Sequence, residues 1–409
     1  RFIMKRISLF LLLFLLLKAT VMYSQDGHPE TNFRIVPVSP NAASLGTFGM
    51  IPTDNYVGQA NLTIPIYEID LDGKKFPIAL SYHTDGTRVA QEATWIGLGW
   101  TLQAGGCVVR QVQGTDDFAA RGCYNLTDAP WLTNPRFEVT DQNLEKYMGY
   151  FKGDYDAEPD MFYFNAGGHS GSMYFDVLKN NRQLNAVPTI QTQEKVVKMV
   201  YNTSNKTWTM TDLEGYVYSF STKEITYYFL NTIDFFQTDI TRSHIFPYYN
   251  EPQIVTAWML DSVTSPNGGK IMFSYKKESI FTPISTTEDV ISLSKIVNGQ
   301  LSSQSPQYFT NKFNYNYSYS KIEQWTLSAI TFEGGKVEFG TTDREDIESA
   351  ETGKKVQKLS SIKVSDTAGN LIKTTMLEYK YLLSGMAATT NGYDDRLLLS
   401  KVYLSLIHI

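Results

Sequence analysis

The feature that most constrains this chain is a strand, glycine turn, strand unit that it repeats. WMLDSVT (258–264) leads through SPNGG (265–269) into KIMF (270–273), and WTLSAIT (325–331) leads through FEGG (332–335) into KVEF (336–339). With a one-residue gap the two superimpose. LSSIKV (359–364) followed by GNLI (369–372) is a looser third copy, and LSKV (399–402) opens a fourth. Alternation of apolar and polar residues beside a glycine turn is the pattern of a hairpin with one face buried. A lone hairpin cannot bury that face, so such units have to stack. Their spacing is irregular, which disfavours a strict short-period solenoid. The expected fold is mainly β: successive antiparallel hairpins forming an extended sheet, a sandwich or the start of a closed β-shell.

Two further hairpins are legible. Asn61–Ile69 and Phe76–His83 flank the turn Asp70–Gly73, and Trp208–Met210 and Tyr216–Phe220 flank Asp212–Gly215. Asp-Gly between two β-rich runs is a strong hairpin signal because the turn needs positive φ at its centre. Helical periodicity is scarce, and Asp141–Phe151 is its best candidate. Val36–Pro40 reads as extended chain and Gln300–Gln307 as an exposed loop. Asn311–Ser320 alternates Tyr with Asn, Ser and Phe, as an edge strand with aromatic cross-strand pairs does. The expected organisation is a leader over 1–24, an N-terminal β domain over 25–165, a β-hairpin domain over 166–300, further hairpin repeats over 301–403, and a non-native tail over 404–409.

Length and composition narrow the class. The 409 residues allow roughly two to three domains with buried cores. Aromatics make up 13% and the net charge is only −6, the reverse of a disordered chain. No basic domain is present, so no nucleic-acid partner is expected. Five His and two Cys, none clustered, argue against zinc-finger, zincin and disulfide-scaffold classes. Met4-Lys5-Arg6 followed by the apolar run Ile7–Leu17 and small or polar residues to Ser24 has the layout of a cleaved secretory signal, with Arg1–Ile3 ahead of the natural start. Lys18 ends the run short of the roughly 20 residues a spanning helix needs, so no transmembrane span is expected in the mature chain. The chain is therefore expected to be exported, secreted or at the cell surface.

Few residues point to chemistry. Asp154, Asp156, Glu158 and Asp160 alternate, so in extended chain their carboxylates would face one way and form a weak calcium candidate beside the simpler reading of a solvated acidic turn. Gly167–Gly171 lacks the second Gly of a nucleophile elbow, since Ser172 stands there. Gly97 and Gly99 lack the third Gly of a dinucleotide loop, where Leu102 stands. His83, at a strand end, reads as a packed residue. Cys107 and Cys123 are the only thiols. Export permits a bridge closing a loop of about 17 residues, worth about 3 kcal/mol, while an apolar strand setting equally suits Cys107 as a small core residue. No catalytic residue and no cofactor is expected. Trp95, Trp100, Trp258 and Trp325 are expected as structural anchors, with Gly97, Gly99, Gly105 and Gly106 setting backbone geometry.

SPNAASLG (39–46), IPIY (64–67), PIALSYH (77–83) and above all WIGLGWTLQAGG (95–106) resemble the amino-terminal region of large exported RHS/YD-repeat proteins of Bacteroidota. EPDMF (158–162), TSPNG (264–268) and DRED (343–346) continue the resemblance over nearly the whole mature chain. A similar Gly-Leu-Gly-Trp segment occurs near the start of the shell-forming subunits of insecticidal Tc toxins. The resemblance implies a β-sheet that winds into a hollow shell, often around a toxic carboxy-terminal domain, in proteins that act in competition between cells or deliver effectors. YDDR (393–396) lacks the Gly of the YD consensus, and the Asp-Pro-x-Gly-Leu signature tied to self-cleavage is absent from the sequence. Neither protease nor toxin activity therefore transfers to any residue here. The expected role is a non-catalytic scaffold or shell segment, partnered by the rest of its own longer chain and a carboxy-terminal cargo. The alternatives are a secreted β-module binding cell-surface glycan or protein, and a secreted hydrolase with carboxylates assembled from distant positions.

Overall fold

A computed structural model describes residues 36–50, 62–82, 91–114, 116–119, 122–125, 144, 148, 156, 158–176, 185–191, 197–234, 253–283, 285–292, 296–297, 300–301, 311–382 and 395–406. The leader over 1–24, His83, Asp154, Tyr393-Asp394, most of 141–151 and residues 407–409 lie outside them. Among the described residues a helix, α1 (Pro40–Met50), precedes the strands β1 (Leu62–Leu71), β2 (Lys74–Tyr82), β3 (Trp100–Gln103), β4 (Gly106–Gln111), β5 (Met161–Ala166), β6 (His169–Tyr174), β7 (Asn185–Ala186), β8 (Thr189–Ile190), β9 (Val197–Asn202) and β10 (Thr207–Asp212). There follow β11 (Val217–Asp234), β12 (Gln253–Thr264), β13 (Lys270–Phe281), β14 (Ser285–Ser292), β15 (Ile296–Val297), β16 (Gln300–Leu301), β17 (Asn311–Phe332), β18 (Gly335–Asp343), β19 (Gln357–Ser365), β20 (Leu371–Leu382) and β21 (Arg396–Leu406).

The protein is mainly β and its pairings are antiparallel. Among the described residues, sixteen strands share one sheet, ordered β21-β20-β19-β18-β17-β11-β12-β4-β5-β6-β8, with β13 and β14 on β17 and β10, β9 and β7 branching from β11. β1, β2 and β3 form a second sheet. The legible hairpins are present. At the β1–β2 turn Asp72 and Gly73 have φ of 51° and 92°, the geometry that selects Asp-Gly. Trp208 pairs with Phe220 in β10–β11. The repeated unit gives β17–β18 and β19–β20, each closing on itself. The β12–β13 copy stays paired only over Ser262–Thr264 and Lys270–Met272, after which β13 crosses to β17.

Two local expectations are corrected. Asn311–Ser320 is not an edge strand: it lies in β17 between β11 and β14, and Tyr319 stacks on Phe229 with ring centroids 4.8 Å apart. Val36–Pro40 is not all extended, because Ser39 and Pro40 start α1. The Ala42 amide donates to Ser39 Oγ at 3.2 Å, an N-cap with Pro in the first turn. Small residues mask the helical period here, and Ala42 is fully buried.

The sheet is covered on two faces. In β4 and β12, Val108, Trp258 and Leu260 face the main core under β1–β3, whereas Cys107, Val109, Ala257 and Met259 face Ala42 of α1. Phe162, Phe175, Tyr201, Trp208 and Trp258 form an aromatic knot with centroids 4.8–6.1 Å apart, offset and edge-on as ring quadrupoles favour. Among the described residues no helix is long and apolar enough to cross a membrane.

Candidate functional site

The polar groups that the fold gathers most tightly lie where the glycine-rich segment 91–100 meets the last strand. Two short turns are set by Thr94: the Gly97 amide donates to Thr94 O at 3.0 Å, the Trp100 amide to Gly97 O at 3.1 Å, and Thr94 Oγ1 to Trp100 O at 2.7 Å. Gly97, at φ +116°, then lies directly on β21: the Leu98 amide donates to Leu397 O at 2.8 Å, and a Cβ on Gly97 would fall 2.8 Å from Leu399 N. Only glycine permits both that φ and that approach. Gly99 also has positive φ, +76°.

DRED (343–346) completes the seam. Arg344 and Asp346, 2% and 4% exposed, form a forked pair, Nε to Oδ1 at 2.8 Å and Nη2 to Oδ2 at 2.7 Å. Arg344 also donates to Thr94 O at 3.0 Å and Ala93 O at 3.2 Å, and Asp346 Oδ2 accepts the Leu397 amide at 3.0 Å. One buried ion pair thus fastens segment 91–100 and β21 to the β18–β19 connection, and the extra hydrogen bonds compensate its desolvation. Arg396 adds a bond from Nε to Gln91 O at 2.8 Å, and the Leu359 amide binds Trp95 O at 2.9 Å.

A second fastening joins α1 to the sheet. The buried Glu224 carboxylate accepts from the Ser39 amide at 2.8 Å, from Ser39 Oγ and from Thr256 Oγ1 at 3.1 Å. Burial raises its pKa, and these donors oppose the rise. Asn41 Oδ1 accepts the Trp95 amide at 2.9 Å, linking α1 to the seam. A third fixes the tip of the β1–β2 hairpin. Lys74 Nζ meets Asp212 Oδ2 at 2.6 Å, Tyr216 OH donates to Leu71 O at 3.0 Å, and Ser265 Oγ donates to Asp72.

Of the four acidic calcium candidates, Asp156, Glu158 and Asp160 lie among the described residues. Asp154 lies outside the described residues, and Glu158 is exposed with its amide on Asp156 Oδ1 at 2.9 Å. Asp160 is fully buried against Arg110, whose Nε donates to it at 2.8 Å, and accepts the Gln113 amide at 2.7 Å. Asp160 and Asp116 instead pair with Arg110, with Asp117 close by, and these carboxylates more than offset the burial that would lower the guanidinium pKa. Among the described residues no group of three His, Cys, Asp or Glu is arranged to hold a metal ion.

Cys107 and Cys123 are buried free thiols, the core-residue side of the two alternatives the sequence left open. The period of β4 is the reason. Cys107 points to the α1 side, whereas Cys123 is buried near Asp117, Asp156 and Asp160, the Arg110 side. Residues 107 and 110 necessarily face opposite ways in a strand.

The tryptophans divide by depth. Trp258 is fully buried with Nε1 on Lys206 O at 2.8 Å, Trp95 is 6% exposed, Trp325 is part-buried with Nε1 on Lys223 O at 2.7 Å, and Trp100 packs on Tyr82 at 5.2 Å. Trp208, 1% exposed at the centre of the knot, was not singled out by sequence. A Cβ on Gly105 would lie 3.3 Å from Phe273, and one on Gly106 2.5 Å from Asn165 O. Arg110, Glu224 and Trp208 also carry no local motif. For Arg344 and Asp346 the only sequence signal was the DRED string.

Fold and seam define an extended antiparallel β-sheet protein in which the glycine-rich segment 91–100 is buckled to β21. No protein-family model matches the chain, and no curated protein matches it. Similar solved structures include a TcdB2-TccC3-Cdc42 complex, 11% identical over 85% of this chain and 15% of that chain, TM-score 0.39. A Photorhabdus luminescens Tc holotoxin pore is 10% identical over 90% of this chain and 15% of that one, TM-score 0.38. A TcdB2-TccC3-TEV structure is 11% identical over 93% and 16%, TM-score 0.32. The chain spans about 15% of the length of these proteins.

Proposed function

We propose that this chain is a non-catalytic scaffold segment, the front of a large exported RHS/YD-repeat β-shell protein of the Bacteroidota type, whose partners are the rest of its own polypeptide and an enclosed carboxy-terminal cargo used in toxin or effector delivery. The observation that supports this most is the state of β21. It ends the sheet path, and among the described residues its strand pairing is with β20 alone, while segment 97–98 and Asp346 cover its other edge only at Leu397–Leu399. Beyond that stretch the strand edge offers unpaired main-chain groups, a template for a further strand. Glycine fit and the Arg344–Asp346 clamp hold segment 91–100 on β21 and the β18–β19 connection, as a structural role requires.

The test is to read the source locus past Val402 and to compare amide exchange in β21 of this chain with that of the longer natural polypeptide. Further strand, glycine turn, strand units and strong protection of β21 in the longer protein are expected. A stop codon within a few dozen residues, or equal exchange in both proteins, would overturn the proposal.

A further inference from the structure

Between the β1–β2 hairpin and the main sheet, beneath Leu45 of α1, lies a cavity of about 230 Å³. Ile69 and Ile78 line it from the hairpin, and Ile271 and Ile330 from the sheet, each 2% exposed or less. Phe76 and Phe273 complete the apolar wall. The remaining side is largely main chain, because Gly106 and Gly167 have no room for a side chain and Gly105 has φ +113°: a Cβ on Gly167 would fall 2.2 Å from Tyr218 OH. Glycines compelled by packing elsewhere thus leave this side of the cavity unfilled.

Water needs two to four polar partners to occupy such a space, and an apolar cavity of about 150 Å³ stays dry and takes benzene. Scaling that volume gives room for roughly nine non-hydrogen atoms here. The polar groups at the cavity are Gln103, Asn165 and Lys75. Asn165 Nδ2 already donates to Leu45 O at 3.0 Å. Lys75 is held by Asp70 at 2.9 Å and Glu68 at 3.4 Å, so an anionic head group would have to sit beside two carboxylates to reach it. The Gln103 amide is left as the neutral donor and acceptor.

We propose that this cavity is a binding site for a small neutral aliphatic molecule, with a chain of about eight carbons between Ile69, Ile78, Ile271 and Ile330 and a terminal hydroxyl at Gln103. The rim sets the class, because its one cation, Lys75, is already engaged by Asp70 and Glu68 and Gln103 is neutral: an alcohol is accepted, and the carboxylate of the same chain is rejected.

The experiment is a titration of the full chain with 1-octanol and, separately, octanoate, followed by thermal melting and calorimetry. Saturable binding of octanol, at least tenfold tighter than octanoate, is expected. Ala104→Leu, which fills the cavity from its wall, should weaken octanol at least tenfold while keeping a cooperative melt. Photo-crosslinking of a diazirine-bearing octanol to the unaltered chain gives a readout independent of that variant's folding, with adducts expected on peptides containing Phe76, Gln103 or Phe273. Absence of saturable octanol binding, equal affinity for octanoate, or adducts confined to other peptides would each overturn the proposal. None of these outcomes bears on the scaffold role, which is tested at β21.

Discussion

Gly97→Ala is the sharpest perturbation of the seam. The residue has φ +116°, and an added methyl would sit 2.8 Å from Leu399 N and 3.4 Å from Leu397 O, both main-chain atoms of β21 that no rotamer change can clear. Holding a non-glycine residue in a sparsely populated backbone region costs about 1–3 kcal/mol. Forcing extra volume into packed structure costs about 1–3 kcal/mol more. The expected loss is therefore about 2–6 kcal/mol, read as a lower urea midpoint at unchanged slope. Gly73→Ala supplies the control, because Gly73 has φ +92° but nothing lies within 4 Å of its added Cβ. It should show the backbone cost alone. If Gly97→Ala is no worse than Gly73→Ala, the close approach of β21 to segment 91–100 is refuted. Should the variant lose less than about 1 kcal/mol, the conformational part of the reasoning fails as well.

Arg344→Met strands the buried Asp346 carboxylate and should cost about 3–5 kcal/mol in urea denaturation, and pairing it with Asp346→Leu should recover part of that loss. Stability should fall as pH rises from about 4 to 8. Burial and neighbouring Asp160 push Asp117 up to about 8, and burial pushes Glu278 up to about 7, so the native state keeps protons that the unfolded chain releases near pH 4. Asp117→Asn and Glu278→Gln should flatten the midpoint-versus-pH curve in that window, and an unchanged slope in both would contradict the assignment. Burial pushes the Cys107 thiol up to about 12 and Cys123 higher still. Neither should react with an aromatic disulfide reagent at pH 8 until the chain is unfolded, and reductant should leave the melting midpoint unmoved. Ser39→Ala removes the α1 cap and a donor to buried Glu224, and thermal melting should show a loss of about 1–3 kcal/mol.

The alternation around Gly73, Gly215 and Gly335 was enough to identify strands and turns, because hairpin chemistry is local: positive φ at the turn and one buried face on either side. The helix at Pro40 was harder to see although its cap was there, since Ser39 and Pro40 are followed by small residues that blur the apolar stripe. Asn311–Ser320 read as an edge because its own composition cannot say that β11 and β14 would lie on both sides of it. The acidic run at 154–160 read as a set of like residues, yet Asp160 is claimed by an arginine fifty positions earlier in the chain.

By itself the sequence determined a mainly-β chain built from glycine-turn hairpins, with Trp and Gly concentrated where packing is closest. Those properties reside in neighbouring residues. Which strands meet, which buried charges pair and which face each cysteine takes were decided only in three dimensions. Arg344 finds Thr94 across 250 positions, Ser39 finds Glu224 across 185, and β13 leaves its hairpin partner for β17. Contacts of that range depend on the burial of whole faces against one another, a free energy that no short window of sequence contains.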